Sequence, residues 1–215
     1  MKTNDSPARL FPALHQRCET LAGNFSEIAP ERRLLLQQLA VYIREKIRQE
    51  QLVQLVYVCT HNSRRSHLGQ VWSAVAAAYY GIGNVHTFSG GTEATAFHAN
   101  AMAALQRAGL QVAATTTGSN PVYRVQFGEE GFTNCFSKLY NDAGNPRAGF
   151  AAIMTCSDAD ENCPFIPGCD LRIGTTYHDP KAYDGTPLQD EKYLERSNQI
   201  ALECLYVFSL VAGTA

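Results

Sequence analysis

The sequence predicts an α/β fold, a three-layer sandwich built on a central, mostly parallel sheet. Leu52–Cys59 is an apolar run rich in β-branched residues, and Phe150–Cys156 is a second apolar run, as expected of buried parallel strands. Helical patterns lie between the candidate strands, and such crossovers allow neighbouring strands to pair in parallel. Sheets of this kind bind ligands at the carboxyl ends of their strands, so the segment after Cys59 is the leading candidate for a functional site.

The first part of the chain, residues 1–50, is predicted to be an N-terminal helical extension that packs on the rest, residues 51–215. Glu31–Glu50 carries leucine and isoleucine residues at helical spacing, with arginine and glutamate between them. This pattern indicates a helix whose apolar face packs on the core. A helix that docks on a partner protein is the alternative that the pattern leaves open.

The elements of the main part follow from local patterns and from the positions of glycine and proline. The final helix is predicted to begin at Thr186–Gln189 and to run to about Val211, because Thr-Pro-Leu-Gln fits a capping box with proline at the first helical position. Asp158–Pro187 is rich in Gly, Pro and Asp, so it is predicted to be a long functional or mobile loop. The remaining elements are a helix over Arg65–Tyr80, a strand over Val85–Ser89, a helix over Ala94–Arg107, and a hairpin of Val122–Phe127 and Phe136–Tyr140 around Gly128–Gly131.

Composition excludes several classes of partner. The chain has 215 residues with 18 basic and 20 acidic side chains, which gives no electrostatic case for binding nucleic acid or an anionic membrane. No apolar h-region follows Met1, and Ala74–Tyr80 is too short to cross a bilayer, so we expect a cytoplasmic protein. Seven cysteines without an export signal favour catalytic, redox or metal-binding roles over structural disulfides.

The segment Cys59–Ser66 joins a predicted strand to a predicted helix. Backbone N–H groups and the helix dipole at such a junction bind a tetrahedral oxyanion and favour the thiolate form of a cysteine held inside it. Arg65 has the fork geometry to grip two oxygens of the anion, Asn62 suits a left-handed backbone position, and Ser66 or Ser63 donates to the sulfur. The bulky His61 either points away from the anion or gates its entry, and Arg64 either faces solvent or attracts anions. The predicted site therefore consists of the nucleophile Cys59 and an oxyanion-binding loop of Thr60, His61, Asn62, Ser63, Arg64, Arg65 and Ser66.

This loop resembles the phosphate loop of the low-molecular-weight tyrosine phosphatases and of the arsenate reductases that share their fold. In that family the general acid is an aspartate followed by proline late in the chain, and Asp179-Pro180 matches it. The resemblance implies that Asp179 protonates the departing oxygen. It covers roughly residues 52–120 and 148–211, so that about 121–147 is expected to be an insertion. Some relatives bind potassium near this loop, but Gln70 stands where their acidic ligand is expected, so we predict neither a metal nor a cofactor.

The segment Cys156–Pro164 resembles the redox segment of the thioredoxin-coupled arsenate reductases, in which Ser-Asp-Ala-Asp leads from one cysteine to a second. The resemblance implies a relay on arsenate. Cys59 attacks arsenic, Cys156 attacks Cys59 and releases arsenite, and Cys163 attacks Cys156. A thioredoxin-type dithiol then reduces the resulting Cys156–Cys163 disulfide.

The same residues allow other interpretations of the function. A phosphatase for aryl phosphates, with the second and third cysteines protecting the nucleophile from oxidation, is the first alternative. A non-catalytic oxyanion or redox sensor is the second, and the sequence does not predict an oligomeric state. A zinc site of Cys156, Cys163, Cys169 and His178 is disfavoured because it lacks a paired Cys-x2-Cys knuckle. Cys169 receives no role, and the cysteines expected in the core are Cys18, Cys135 and Cys204.

Overall fold

The structure, a computed structural model, describes residues 9–162 and 165–213. Short 3-10 helices at Phe25–Glu27 and Pro180–Tyr183 accompany the main elements. None of the described helices is long and apolar enough to span a membrane. The helices are α1 (Pro12–Ala22), α2 (Pro30–Arg48), α3 (Arg65–Tyr79), α4 (Ala99–Arg107), α5 (Ser157–Asn162) and α6 (Gln189–Ala212), and the strands are β1 (Val53–Cys59), β2 (Val85–Gly91), β3 (Gln111–Ala114), β4 (Tyr123–Gln126), β5 (Phe132–Cys135), β6 (Phe150–Met154) and β7 (Cys169–Gly174).

Four parallel strands in the order β2-β1-β6-β7 form the central sheet. Helices lie on both faces of this sheet, so the predicted α/β class with a central parallel sheet is confirmed. All four strands run in the same direction, so their carboxyl ends meet at one edge of the sheet. Cys59 is the last residue of β1 and lies at that edge, beside Gly91 at the end of β2.

The two faces of the sheet bury cores of different size. Alternate residues of β1 point to opposite faces, as the period of a strand requires. Leu55 and Tyr57 belong to the larger core, which also holds the buried faces of α1, α2, α3, α4 and α6. Val56 and Val58 belong to a smaller core that is closed by α5 and by the segment around Ile166. The layer that covers this second face of the sheet is therefore thin and close to the surface.

The N-terminal region packs on the larger core. Helix α2 buries Leu36, Leu39, Ala40 and Ile43, and Arg32 at its start forms a 3.0 Å ion pair with Glu203 of α6. Helix α1 precedes it and was not predicted, because only Leu14 and Cys18 of that helix are buried and the apolar pattern is correspondingly weak. The division of the chain at residue 50 stays a prediction.

The predicted hairpin is present, but its second strand was placed wrongly. Strands β3, β4 and β5 form a separate antiparallel sheet, and β5 begins at Phe132 because Phe127 N donates to Gly131 O at 2.9 Å and closes a short turn. The segment predicted as the second strand, Phe136–Tyr140, runs along the end of β2 instead. There, Gly91 N donates to Lys138 O at 2.9 Å.

Three other element predictions need correction. The predicted loop over Asp158–Pro187 contains α5 and the edge strand β7, in which Cys169, Leu171 and Ile173 alternate with charged residues as in a half-exposed strand. The helix predicted from Ala94 begins at Ala99, because His98 Nδ1 accepts from Asn100 N at 3.3 Å and caps it. The final helix begins at Gln189 and not at Thr186, because the Gln189 side chain accepts from Gly185 N at 2.8 Å and does not close the predicted box.

Candidate active site

The loop that follows β1 is held close to the end of β2. Thr92 Oγ1 donates to Thr60 O at 3.1 Å, and Glu93 N donates to the same oxygen at 2.8 Å. A side chain at Gly91 would place its Cβ 2.6 Å from Thr60 O and 2.7 Å from Asn62 N, so only glycine allows this approach. The loop is thus fixed by backbone contacts before any anion binds.

The sulfur of Cys59 is buried inside this loop, with 4% of the residue exposed. Its Sγ lies 3.0 Å from Ser66 Oγ, and Asn62 Nδ2 donates to the same hydroxyl at 2.9 Å. Because the hydroxyl oxygen accepts from Asn62, its hydrogen is free to point at the sulfur and to stabilise a thiolate. Of the two serines weighed from the sequence, Ser66 makes this contact, whereas Ser63 Oγ donates to Ala96 O at 2.7 Å.

Asn62 has the left-handed backbone that its residue type suits, with φ of +43°. Its side chain is fully buried and joins two parts of the site. Oδ1 accepts from Lys138 N at 2.8 Å, and Nδ2 reaches Ser66. The backbone oxygen of the neighbouring His61 accepts from Ser137 Oγ at 3.0 Å. The 136–140 segment therefore contacts and supports the loop of residues 59–66. No local sequence pattern predicts this contact.

Arg65 and Asp179 come together although 114 positions separate them in the chain. Arg65 Nη2 donates to Asp179 Oδ2 at 2.6 Å, and Nη1 donates to Tyr177 O at 2.7 Å. The buried Nε of Arg65 has no hydrogen-bond partner among the described residues. Asp179 also accepts from Lys181 N at 3.0 Å, and its side chain is 36% exposed. The predicted acid thus lies next to the predicted anion-binding arginine, at the surface of the site.

The neighbouring residues Arg64 and His61 have other partners. Arg64 was expected to face solvent or to attract anions, but its side chain is only 12% exposed. Its Nε donates to Tyr193 Oη at 2.7 Å and its Nη2 to Asp184 at 3.1 Å, so it ties the loop to α6. His61 Nε2 lies 3.5 Å from the carboxylate of Glu93, and its half-exposed side chain sits at the surface.

Cys156 lies beside the same loop. Thr155 N donates to Val58 O at 2.7 Å, which carries the chain from β6 to the carboxyl end of β1. The Cys156 sulfur lies 3.4 Å from Thr60 Oγ1 and accepts from Ala159 N at 3.4 Å, with 1% of the residue exposed. The buried Cys156 thiol therefore lies beside the residue that follows Cys59 in the chain, while Cys163 lies outside the described residues.

The other cysteines lie elsewhere. Cys169 pairs with Phe150 at the amino end of β6, a strand of five residues, about 13 Å from the edge where Cys156 lies. Cys169 therefore lies away from Cys156, and no cluster able to hold a metal occurs among the described residues. Burial raises the pKa of the thiols of Cys18, Cys135 and Cys204 to about 12 each.

A polar network surrounds Ser89 and Gln70. Ser89 Oγ donates to Gln70 Oε1 at 2.7 Å, and the Gln70 amide donates to Thr133 and Asn134. His67, which the sequence did not single out, lies 3.1 Å from the same hydroxyl. Burial and the nearby charge of Lys138 lower the pKa of His67 to about 3, so the imidazole is neutral at pH 7. Neutral groups that bond to one another occupy this region.

Comparisons with known proteins give structural likeness only. No protein-family model matches the chain, and no curated protein is similar to it in sequence. A YwlE mutant from Bacillus subtilis aligns with a TM-score of 0.48 at 12% identity, over 74% of this chain and 98% of that chain. A low-molecular-weight phosphotyrosine phosphatase from Vibrio cholerae O395 gives 0.47 at 14% identity, over 72% and 93%. The thioredoxin-dependent arsenate reductase Cg_ArsC1′ from Corynebacterium glutamicum gives 0.40 at 18%, over 87% and 80%. The solved structures similar to this chain therefore include phosphatases and an arsenate reductase, and at these scores none of them identifies its activity.

Proposed function

We propose that this protein is an arsenate reductase that transfers electrons through its own thiols, with Cys59 as the nucleophile. The observation that carries the proposal is the position of Cys156, whose buried sulfur lies 3.4 Å from the hydroxyl of Thr60, the residue directly after Cys59. A phosphatase needs only one thiol, because water releases the phosphoryl group from it. A second thiol at the same loop suits a reaction in which another sulfur releases the first.

The first step forms a bond between Cys59 and arsenic. Arsenate binds in the loop, where backbone N–H groups and the guanidinium of Arg65 neutralise its oxygens. The Cys59 thiolate attacks the arsenic atom, and the departing oxygen leaves as water after accepting a proton from Asp179. Binding replaces the present contact of Arg65 with Asp179, and the released carboxylate takes up a proton from solvent, which it then gives to the departing oxygen.

The second step reduces the arsenic. The Cys156 thiolate attacks the Cys59 sulfur, the bond between Cys59 and arsenic breaks, and its electron pair stays on arsenic, which leaves as arsenite. The two sulfurs are oxidised to a disulfide. Cys163 then attacks the Cys156 sulfur and frees the Cys59 thiolate, and a thioredoxin-type dithiol reduces the Cys156–Cys163 disulfide. The role of Cys163 rests on the resemblance of the 156–164 segment to a redox segment.

An aryl phosphatase is the second candidate. The observation that favours it is that the loop and the acid are in contact without Cys156, since Arg65 and Asp179 lie 2.6 Å apart. In that reaction Cys59 accepts the phosphoryl group, Asp179 protonates the leaving phenolate, and water hydrolyses the thiophosphate. Cys156 and Cys163 would then protect Cys59 by forming a reversible disulfide with it.

A pair of assays distinguishes these functions. Purified protein is incubated with arsenate, thioredoxin, thioredoxin reductase and NADPH, and separately with 4-nitrophenyl phosphate. We expect arsenate-dependent NADPH oxidation that Cys156→Ser and Cys163→Ser each abolish, while Cys169→Ser, at the far edge of the sheet, leaves it intact.

The relay is wrong if NADPH oxidation survives Cys163→Ser at the wild-type rate. Hydrolysis of 4-nitrophenyl phosphate that Cys156→Ser does not affect, without arsenate reduction, supports the phosphatase. Binding of arsenate or phosphate without turnover in either assay supports the sensor.

A further inference from the structure

A cavity of about 540 Å³ lies behind the candidate active site, between the edge strand β2, one side of α3 and the small antiparallel sheet. A volume of this size falls in the range of small-molecule sites. Its walls are largely apolar and include alanines of α3 and the aromatic rings of Phe88, Phe127, Phe132 and Phe136. Nothing in the proposed arsenate chemistry uses this cavity.

Among the described residues, Lys138 is the one lysine or arginine that lines the cavity. Lys138 is only 5% exposed, and no carboxylate among the described residues lies within ion-pair distance of its ammonium, although the charge of Asp142 acts on it and favours its charged form. Its ammonium lies 4.4 Å from the centre of the Phe136 ring. Burial lowers the pKa of Lys138, as expected for an ammonium removed from water. A buried charge without a close ion-pair partner is costly to the folded state, and an anion in the cavity lowers that cost.

We propose that this cavity binds a small amphipathic carboxylate, an aryl- or alkylcarboxylic acid whose anionic end pairs with Lys138 and whose apolar body lies against the phenylalanines. A single ammonium suits one carboxylate, whereas phosphate is favoured by a guanidinium fork, and no arginine is among the described residues that line the cavity. The aromatic and alanine lining suits an apolar body and gives little to a bare inorganic anion.

The cavity also borders residues that hold the loop of the candidate active site in place. The backbone N–H of Lys138 donates to Asn62 Oδ1 at 2.8 Å, and Gln70, which lines the cavity, accepts from Ser89. A ligand bound to the Lys138 side chain therefore contacts the same residue whose backbone N–H holds Asn62 in the Cys59 loop. The binding proposal does not depend on the arsenate chemistry, because its readout is binding alone.

Titration calorimetry with 4-phenylbutanoate tests the proposal, with the neutral 4-phenylbutanamide and inorganic phosphate as comparison probes. We expect saturable binding of the carboxylate, and weakening by at least about tenfold in Lys138→Met, which removes one charge-assisted hydrogen bond. The surface variant Lys192→Met, whose ammonium pairs with Glu195, is the matched control and should bind as the wild type does.

A second variant fills the space from the helical side. Ala78→Phe places a ring in the cavity and should abolish binding even if Lys138→Met fails to fold. The proposal is overturned if the wild type shows no saturable binding at millimolar carboxylate. Equal binding of the neutral amide or of phosphate, or undiminished binding by Ala78→Phe, contradicts it as well.

Discussion

The cysteines at the carboxyl edge of the sheet and those in the core differ in what surrounds their sulfurs. Cys59 sits in a backbone loop with the hydroxyl of Ser66 at 3.0 Å and Arg65 on the following helix. Cys204 in the core also has a hydroxyl neighbour, Ser73 at 3.4 Å, yet burial raises the pKa of its thiol to about 12. A hydroxyl alone does not make a sulfur reactive.

What distinguishes Cys59 is its place at the carboxyl end of a strand, in a loop that joins this strand to α3. Burial disfavours the charged thiolate form of Cys135 and Cys18 and raises the pKa of each thiol to about 12, although Lys138 acts on Cys135, and Arg17 on Cys18, in the opposite direction. Cys156 shares the edge with Cys59 and has its own backbone donor, Ala159 N. The position of a cysteine relative to the sheet edge therefore separates candidate reactive thiols from structural ones.

The largest expected effect contrasts one cysteine from each region. Cys59→Ser should lower arsenate-dependent NADPH oxidation by at least about 10⁴-fold, as the loss of a nucleophile does in other enzymes. Cys135→Ser should leave the rate within about twofold, because its sulfur touches no group of the loop. A Cys135→Ser variant that is as inactive as Cys59→Ser, with an unchanged melting temperature, would contradict the distinction between edge and core cysteines.

Asp179→Asn should lower the same rate by about 10³-fold, because an amide accepts no proton to pass on and general acids contribute on this order. The matched control is Asp190→Asn, which removes a surface carboxylate that pairs with Arg107. Full activity of Asp179→Asn across the pH range would mean that another group, or water, supplies the proton.

Protonation of His67 should destabilise the fold in acid. The histidine titrates near 6.5 in the unfolded chain, whereas burial lowers the pKa of His67 to about 3 in the folded protein. The unfolded state therefore binds more protons between these values, and stability is lost as the pH falls from 7 towards 3. We expect a loss of about 2 kcal/mol between pH 7 and pH 5 from this residue.

Urea unfolding at the two pH values measures this loss. His67→Gln should make the free energy of unfolding less dependent on pH by the same amount, whereas the exposed His86→Gln should not change the dependence. An identical pH dependence in His67→Gln and the wild type would show that the imidazole does not stay neutral in the folded state.

The smallest expected effect tests the contrast between edge and core cysteines at a single hydrogen bond. Ser66→Ala removes the hydroxyl that lies 3.0 Å from Cys59 Sγ and should slow alkylation of Cys59 by iodoacetamide at pH 7 by about tenfold. Ser63→Ala is the control, because that hydroxyl donates to Ala96 O. Mass spectrometry of the labelled peptide follows the reaction, and equal rates in both variants would remove Ser66 from the site.

Local sequence patterns correctly predicted the elements that depend on interactions between neighbouring residues. The strand before Cys59, the loop to Ser66 and the helix behind it were predicted at nearly their observed bounds, because β-branched runs and alanine-rich periodicity act over a few residues. Strand β7 was missed although Leu171 and Ile173 alternate with polar residues, since the surrounding Gly and Pro suggested a loop. The start of α6 was missed because two side chains bond to the turn before it.

The sequence by itself determined the α/β class, the loop that follows β1 and the residue types that the loop offers, because each depends on neighbours in the chain. Only the tertiary structure decided which partners those residues have. Arg65 meets Asp179, Arg64 turns to Asp184, Cys156 reaches Thr60, and Lys138 N supports Asn62. These contacts join segments far apart in the chain, and the packing of the sheet edge against the 136–140 segment and α6 sets their distances.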